Sequence, residues 1–527
     1  MRRRLVGESN DPKTVPIALL GIAFASLMAW DIRVLAMPVA ERVQFVPDDG
    51  FYYLSLGRSF ATLGRWTADA GRTVTSGFHP AWGWLLAGLQ AVTGAGRDGF
   101  LAVAFAACCV LSWAALAIPL AWPLRGPRWP LHAALAVVVA SPVVATNSVS
   151  LTEWPVCVLC SGLYVWALLR DGRRRMDWVL FAAGCAGSLA RSEFGVLPFA
   201  LLAARVLLGS RASRGPRIPR LAAGLAGAVA GIAAGLLHNL AFTGEPFQSS
   251  ARMKLHWGLV EGAHDPLMPL GLLIRLATGV EINGMERFIV VGTVAGVLLL
   301  VPAVRAARRI ATRELGDTEA VLLTGGLLTL AAVVGLYSRG LVPQLWYASM
   351  MTVPLVLVLR GLLGTLAGAR ARTAALAVAA TIVAADAGTV HVLRVAPWPW
   401  QARLLEAGRY AEARAWNGAV GSWNSGVIGY YSGGRVINLD GLVNNEVVPW
   451  IMAGRLEGYL AEKGIRYLLD FEGMVTPRYE RRGGFDAGRL RRSVVRSVVV
   501  SRETRPEAQV FGPAVRLWEI VPRGPAR

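Results

Sequence analysis

Residues 15–36 read VPIALLGIAFASLMAWDIRVLA, and residues 47–50 that follow them read PDDG. The first stretch is long enough to cross a bilayer as a helix. The second places two adjacent carboxylates, Asp48 and Asp49, just beyond its end. Arg2, Arg3 and Arg4 precede the apolar stretch, which is longer than the core of a cleavable signal peptide. The sequence therefore predicts an uncleaved first membrane span followed by an acidic loop.

The rest of the chain has the same apolar character over most of its length. It contains 527 residues, of which 54% are hydrophobic, and its mean hydropathy is +0.46. These values exceed those of an ordinary soluble protein. Apolar stretches of spanning length recur as far as about Leu393, whereas residues 394–527 are more polar. We therefore predict a polytopic α-helical membrane domain at 1–393 and a second domain at 394–527.

The net charge of +20 bears on topology. Lysine and arginine are concentrated in the cytoplasmic loops of membrane proteins, so this charge does not indicate a nucleic-acid partner. The five cysteines all lie in apolar segments. Cys157 and Cys160 have the spacing of a metal or redox pair, but they fall inside a predicted span. A role as small core residues is favoured for them.

The basic clusters all lie on one side of the membrane if residues 79–93 form a helix at the outer interface. That segment is short and begins with His79-Pro80, and its Trp82 and Trp84 suit an interface. The resulting topology has about eleven spans in the cell's inner or plasma membrane. It places the N-terminus in the cytoplasm and the C-terminal domain outside. The predicted spans are 15–37, 99–122, 131–148, 151–169, 178–190, 194–208, 219–240, 286–304, 319–337, 346–363 and 373–393.

The paired carboxylates carry the main chemical signal in the predicted first outer loop, 38–98. Adjacent carboxylates repel each other, so they need a proton, a basic group or a metal ion as a partner. One could accept the proton of an acceptor hydroxyl while the other orients that group or binds a cation. A divalent cation at Asp48 and Asp49 is thus left open, and no other cofactor is expected. Alternatively, Asp49 caps the start of a helix that follows.

The sequence around this pair resembles the first extracytoplasmic loop of the GT-C glycosyltransferases. The segments that carry the resemblance are DDGFYYL at 48–54, GRWT at 64–67 and TSGFHPAW at 75–82. Further similar elements are Glu153 at the start of a span, the turn Arg191-Ser192-Glu193 and the loop from His238 to Lys254. The resemblance covers most of residues 15–260 and extends more faintly beyond them.

The resemblance implies a seven-span catalytic module with its active site at the outer membrane surface. It further implies a polyprenyl-phosphate-sugar donor, inversion at the anomeric carbon, and a glycan, lipid or protein acceptor in the cell envelope. By position, Asp48 corresponds to the catalytic base and Asp49 to its neighbour, and the swapped assignment stays open. The alternative is a transporter or flippase of a lipid-linked glycan. Such proteins commonly show internal repeats and a polar path through the bilayer.

Three basic residues are candidates for binding the donor phosphate, where a cation would stabilise the developing charge. Lys254 is one of only three lysines, and it could instead extend toward lipid headgroups. Arg191 could reach the phosphate or simply pair with Glu193. Arg252 lies two residues before Lys254 on the same predicted outer loop.

The remaining candidates would bind the acceptor or support the site. Glu153 could be a second acceptor-binding carboxylate or could cap its span. His79 needs partners to act in catalysis, and a structural role is favoured for it. Glu193 would hold Arg191. Tyr347 suits the aromatic belt at the membrane interface, but could also line a lipid groove.

The polar C-terminal region has the pattern of a small α/β domain. Strands are predicted at 419–422, 435–439, 465–470 and within 509–521, with a helix at 449–463. Polar and aromatic loops, including Trp423-Asn424 and Asn438-Leu439-Asp440, are of a kind that binds sugars. Their glycines and asparagines could equally reflect turn chemistry. A similar appended domain occurs on several GT-C enzymes, including arabinofuranosyltransferases, so this region could bind acceptor glycan or close over the active site.

Overall fold

Long apolar helices make up most of the protein. The computed structural model describes residues 14–170, 174–209, 215–261, 266–281, 300–312, 314–339, 343–392, 396–506 and 509–521. Six helices within these ranges are long and apolar enough to cross a membrane: Thr14–Ala36, Arg97–Ala121, Ile218–Thr243, Asp317–Tyr337, Leu345–Gly364 and Ala369–His391. Shorter helices lie beside them at Trp129–Ala140, Trp154–Leu169, Arg174–Ala190, Val196–Leu208 and Met268–Thr278. The chain is therefore a multi-pass membrane protein, while the count of eleven spans and the orientation of the termini stay predictions.

Some predicted spans differ from the observed helices. The stretch predicted at 131–148 is divided into Trp129–Ala140 and Pro142–Asn147. Pro142 has no N–H to continue the first helix, but it fits the first turn of the second. Most of the span predicted at 286–304 lies outside the described residues. Its described part belongs to a helical segment at 300–311. The helix Met268–Thr278 was not predicted as an apolar element.

Small residues allow two of the helices to pack closely. A Cβ atom added at Gly227 would overlap the carbonyl oxygen of Phe181, and one at Gly231 would overlap that of Cys185. The helix Ile218–Thr243 therefore lies directly against Arg174–Ala190 along its glycines. Such close backbone contact is typical of helix pairs in membranes, where apolar burial does not drive association.

The segment predicted to lie at the interface forms the helix Pro80–Thr93. It packs on the helix Asp48–Leu63, where a Cβ at Gly57 would lie 3.0 Å from the Cβ of Leu86. Trp84 is 43% exposed, as an interfacial residue would be. Trp82, in contrast, is fully buried and donates its indole N–H to the carbonyl oxygen of Leu151 at 2.8 Å. Only one of the two tryptophans is thus available to the interface.

The C-terminal region contains the predicted small sheet, which has five strands within residues 396–506 and 509–521. They are β1 (Ala419–Ser422), β2 (Val436–Asn438), β3 (Ile465–Phe471), β4 (Val494–Arg502) and β5 (Ala514–Ile520). The order is β2-β1-β3-β5-β4, with β2, β1 and β3 parallel and β5 and β4 antiparallel to their neighbours. The main helices are Gln401–Glu412, Ser425–Tyr431, Val448–Met452, Leu456–Glu462 and Ala487–Arg492. The helix predicted at 449–463 is interrupted at Gly454, whose φ is 66°.

Candidate active site

Asp48 and Asp49 form the first turn of the helix Asp48–Leu63, which follows the membrane span Thr14–Ala36. Pro47 precedes them in an extended conformation and is the N-cap residue. No side-chain capping hydrogen bond is present at this helix start. The capping role considered for Asp49 is therefore wrong. Both carboxylates are directed to other parts of the chain.

Asp48 contacts the C-terminal domain. Its Oδ2 accepts a hydrogen bond from the backbone N–H of Gly426 at 2.8 Å, and its Oδ1 accepts one from Val427 at 3.1 Å. Both amides lie in the first turn of the helix Ser425–Tyr431, where the backbone is partly positive. Burial raises the pKa of Asp48 to about 6, although both amide bonds act in the opposite direction. Asp48 thus joins the segment after the first span to the C-terminal domain.

Asp49 faces a different partner. Its Oδ2 lies 3.1 Å from the Nζ of Lys254, on the helix Ser249–Glu261. The ammonium is also 5.6 Å from the ring centre of Tyr347 and 5.8 Å from that of Trp346, within the range of cation–π attraction. Burial lowers the pKa of Lys254, but the adjacent Asp49 carboxylate outweighs it, and the pKa stays above its ordinary value. This ion pair brings together a carboxylate and a fixed positive charge.

Arg191 is held by two carboxylates. Its Nη1 donates to the Oε1 of Glu153 at 2.6 Å, and its Nη2 donates to the Oε1 of Glu193 at 3.0 Å. Arg191 and Glu153 are each only 2% exposed. Burial would raise the pKa of Glu193, but Arg191 and His79 lower it to about 2. The guanidinium carbon also lies 4.4 Å from the ring centre of Tyr347. The pairing alternative for Arg191 is therefore observed, with Glu153 as an additional partner.

Tyr53 and His79 extend this network. The Tyr53 hydroxyl donates to the Oε2 of Glu153 and accepts the backbone N–H of His79, both at 3.1 Å. The Nδ1 of His79 lies 3.2 Å from the Nε2 of Gln248. Burial lowers the pKa of His79, which favours the neutral ring. Glu153 makes no capping bond to the helix that it precedes, so its carboxylate serves this network instead.

These groups surround one cavity of about 250 Å³. The predicted site residues that line it are Asp49, His79, Glu153, Arg191, Glu193, Lys254 and Tyr347. The cavity is also lined by Tyr52, Tyr53, Gln248 and Ser250, which the sequence did not single out as site residues. The two tyrosines follow the acidic pair after only two intervening residues, and this proximity in the chain was the available signal.

Two predicted site residues lie outside the lining of this cavity. Asp48 is engaged with the C-terminal domain instead. Arg252 is 38% exposed, and its Nη1 lies 3.6 Å from the Oε2 of Glu245. We therefore leave Arg252 out of the proposed donor site, and its predicted role in phosphate binding stays untested.

The arrangement of the acidic pair does not suit a shared divalent cation. Both oxygens of Asp48 accept amide N–H groups, whereas Asp49 is neutralised by Lys254. A metal site would need several oxygen ligands directed at one point. Across the described ranges, no group of three or more His, Cys, Asp or Glu side chains could hold a metal ion.

The contact between Asp48 and the C-terminal domain requires glycine at position 426. A Cβ atom there would overlap the backbone oxygen of Asp48 and lie 2.5 Å from its carboxyl carbon. We expect Gly426→Ala to destabilise the protein by about 1–3 kcal/mol because the two segments must separate. The measurement is the thermal unfolding midpoint in detergent.

Gly429→Ala is the matched control for this substitution, since it lies in the same short helix. Its added Cβ would meet nothing closer than the Ala68 backbone oxygen at 3.9 Å. Better helix propensity should leave this variant as stable as the wild type or more stable by up to about 1 kcal/mol. Equal unfolding midpoints for Gly426→Ala and the wild type would contradict the contact.

Comparison with known proteins agrees with this architecture. A family described as a domain of unknown function (DUF8728) matches residues 396–511, within the C-terminal domain. No curated protein sequence matches the chain. Among solved structures, ArnT from Cupriavidus metallidurans bound to undecaprenyl phosphate is similar with a TM-score of 0.58 and 12% identity. That match covers 95% of this chain and 98% of ArnT.

A second similar structure is the apo form of the Archaeoglobus fulgidus oligosaccharyltransferase. Its TM-score is 0.52 at 13% identity, and the match covers 90% of this chain and 71% of the archaeal protein. Both neighbours are proteins of the GT-C fold. At these identities the likeness concerns the fold, and it extends over both the membrane helices and the C-terminal domain. The resemblance predicted from the first outer loop is thereby confirmed: the chain has the fold of the GT-C glycosyltransferases.

Proposed function

We propose that the protein is an inverting glycosyltransferase that transfers a sugar from a polyprenyl-phosphate donor to a hydroxyl of an envelope glycan, lipid or protein at the outer membrane face. The observation that carries this proposal is the Asp49–Lys254 pair. Its two charged groups lie 3.1 Å apart and line the same cavity of about 250 Å³. A base for the acceptor and a cation for the leaving phosphate are the two groups that this reaction needs.

In the proposed reaction, the acceptor oxygen attacks the anomeric carbon from the face opposite the phosphate. The new oxygen–carbon bond forms as the bond from that carbon to the phosphate oxygen breaks, and its electron pair leaves with the polyprenyl phosphate. The acceptor proton passes to the Asp49 carboxylate. Phosphate is a good leaving group, so no general acid is required. Lys254 stabilises the charge that develops on the phosphate.

We assign the base to Asp49 instead of Asp48 because of their partners. Asp49 lines the cavity, where an acceptor hydroxyl could reach it. Asp48 uses both oxygens to bind Gly426 and Val427, and a carboxylate so engaged is poorly placed to take a proton. In this assignment Asp48 is a positioning residue that fixes the first turn of its helix.

The groups around Arg191 shape the cavity in this proposal. Two carboxylates, Glu153 and Glu193, flank Arg191, whereas Lys254 has one ion-pair partner, Asp49, so we assign the phosphate to Lys254. The ring centre of Tyr347 lies 4.4 Å from the guanidinium of Arg191 and 5.6 Å from the ammonium of Lys254. A neighbour of the same fold was solved with undecaprenyl phosphate, which supports a polyprenyl-phosphate ligand here.

The proposal is tested by assaying the purified full-length protein in detergent with a panel of synthetic polyprenyl-phosphate pentoses and hexoses. We expect one donor to release free polyprenyl phosphate, and mixed envelope glycans to increase the rate. A transporter would instead move the intact donor across a vesicle membrane without cleaving it. Vesicle uptake of every donor with no release would replace the transferase proposal by the transporter alternative.

A further inference from the structure

A second, smaller recess lies beside the catalytic cavity, and we call it the aromatic notch. The residues that line it include Trp257, Trp423, Asn424, Asp440, Arg482 and Phe485, and its volume is about 30 Å³. The notch is formed between the helix Ser249–Glu261 and loops of the C-terminal domain. This space corresponds to roughly two water molecules, so a larger ligand would enter it by one edge only.

The notch and the catalytic cavity share two structural elements. Lys254 lines the cavity and Trp257 lines the notch, three residues further along the same helix. Tyr52 lines the cavity, and its hydroxyl donates to the Oδ2 of Asp440 in the notch at 3.2 Å. Tyr52 itself lies three residues after Asp49 in its helix. Since three helical residues rise about 4.5 Å, the notch is about one helical turn from the Asp49–Lys254 pair.

The lining of the notch combines aromatic surface with polar groups. The rings of Trp423 and Phe485 lie 5.3 Å apart, and the guanidinium of Arg482 lies 4.0 Å from the ring centre of Trp257. Within the part of the chain that the structure describes, the indole N–H groups of Trp257 and Trp423 are buried without an acceptor. Buried donors normally have hydrogen-bond acceptors, so a ligand with acceptor oxygens could accept these two indole N–H groups.

The polar residues of the notch are already fixed in place. The buried Asp470 accepts the backbone N–H of Trp423 at 2.7 Å and the side-chain amide of Asn424 at 2.8 Å. Asp440 accepts the backbone N–H of Leu442 at 2.8 Å, the Tyr52 hydroxyl at 3.2 Å and a bond from the Asn438 side chain. A carboxylate has about four acceptor positions, so Asp440 keeps room for about one further hydroxyl group. Such prior ordering lowers the entropy cost of binding a polar ligand.

We infer that the aromatic notch is the binding subsite for a saccharide acceptor. Aromatic faces pack against the C–H surfaces of a sugar ring, while carboxylate and amide groups bind its hydroxyls. A ring held one helical turn from Asp49 could present a hydroxyl to the proposed base. This inference rests on the proposed transferase function, since it names the acceptor class of the same active site.

The test is saturation-transfer NMR on the full-length protein in detergent, with a panel of methyl pyranosides and methyl furanosides as probes. We expect transfer to at least one glycoside, and Trp257→Ala should raise its dissociation constant about tenfold. Trp416→Ala is the matched control, because Trp416 is also half-buried but packs on Tyr467, with ring centres 4.9 Å apart, outside both recesses. This control should bind the glycoside like the wild type.

The outcomes separate the inference from the proposed function. Absence of saturation transfer to any glycoside, or unchanged binding by a folded Trp257→Ala variant, overturns the notch as a saccharide subsite. Competition between the bound glycoside and the polyprenyl-phosphate sugar would place the donor sugar there and overturn the acceptor assignment. Release of polyprenyl phosphate without glycoside binding would overturn the saccharide subsite and leave the proposed transferase function intact. Glycoside binding without release from any donor would refute the transferase and leave a saccharide-binding protein.

Discussion

Replacing Asp49 by asparagine should lower glycosyl transfer by about 10²–10⁴-fold, the usual contribution of a positioned general base. Asparagine keeps the shape of the side chain but cannot accept the proton of the acceptor hydroxyl. The change also removes the negative partner of Lys254, which lies 3.1 Å away. The measurement is the rate of polyprenyl phosphate release at saturating donor, together with the unfolding midpoint of the variant.

The matched control for Asp49→Asn is Asp48→Asn, which makes the same replacement of a carboxylate by an amide one residue earlier. An asparagine cannot accept both the Gly426 and Val427 amides, so this variant should lose stability more than Asp49→Asn does. Its turnover should fall less, provided that the comparison is made well below both unfolding midpoints. A folded Asp48→Asn variant that loses turnover as completely as Asp49→Asn would return the role of base to Asp48.

Arg191→Met should lower the free energy of unfolding by about 3–5 kcal/mol, because it leaves Glu153 as an uncompensated buried charge. Both residues are 2% exposed, and their contact is 2.6 Å long. The loss would appear as a large drop in the thermal unfolding midpoint, followed by tryptophan fluorescence in detergent. Arg339→Met is the control, since Arg339 is exposed, and this change should leave the midpoint nearly unaltered.

A double variant distinguishes the buried charge from a loss of packing. In Arg191→Met with Glu153→Gln, the uncompensated carboxylate is gone, so part of the lost stability should return. If the two changes are simply additive, the destabilisation comes from lost packing, and the ion pair is not its cause.

Much of the fold could be predicted because it depends on local patterns. The apolar stretch at 15–36 and the short segment at 79–93 each carry their own signals of length and aromatic content. The structure places helices at Thr14–Ala36 and Pro80–Thr93 accordingly. β4 was missed because VVRSVVVSR at 494–502 follows an arginine-rich segment, and its pairing with β5 is a tertiary contact. The break at Ser141 depends on Pro142, which was included within a single predicted span.

The candidate site could be predicted in its residue types but not in its pairings. Acidic and basic residues on predicted outer loops indicated Asp49, Glu153, Arg191 and Lys254, and these do line one cavity. Which carboxylate faces Lys254 depends on the rotation of the helix that begins at Asp48. That rotation is fixed by amides in the C-terminal domain, at a sequence separation of 378 residues. Local sequence carries no information on such a contact.

The same contact has a consequence for biosynthesis. Asp48 leaves the ribosome early, whereas Gly426 and Val427 follow only after the last apolar helix, Ala369–Val392. A nascent chain therefore inserts its helices with the acidic turn still unanchored, and closing so long a loop is a late and slow event. The proposed active site would then be completed only after most of the chain has been translated, so we expect a chain that stalls midway to be inserted in the membrane without transferase activity.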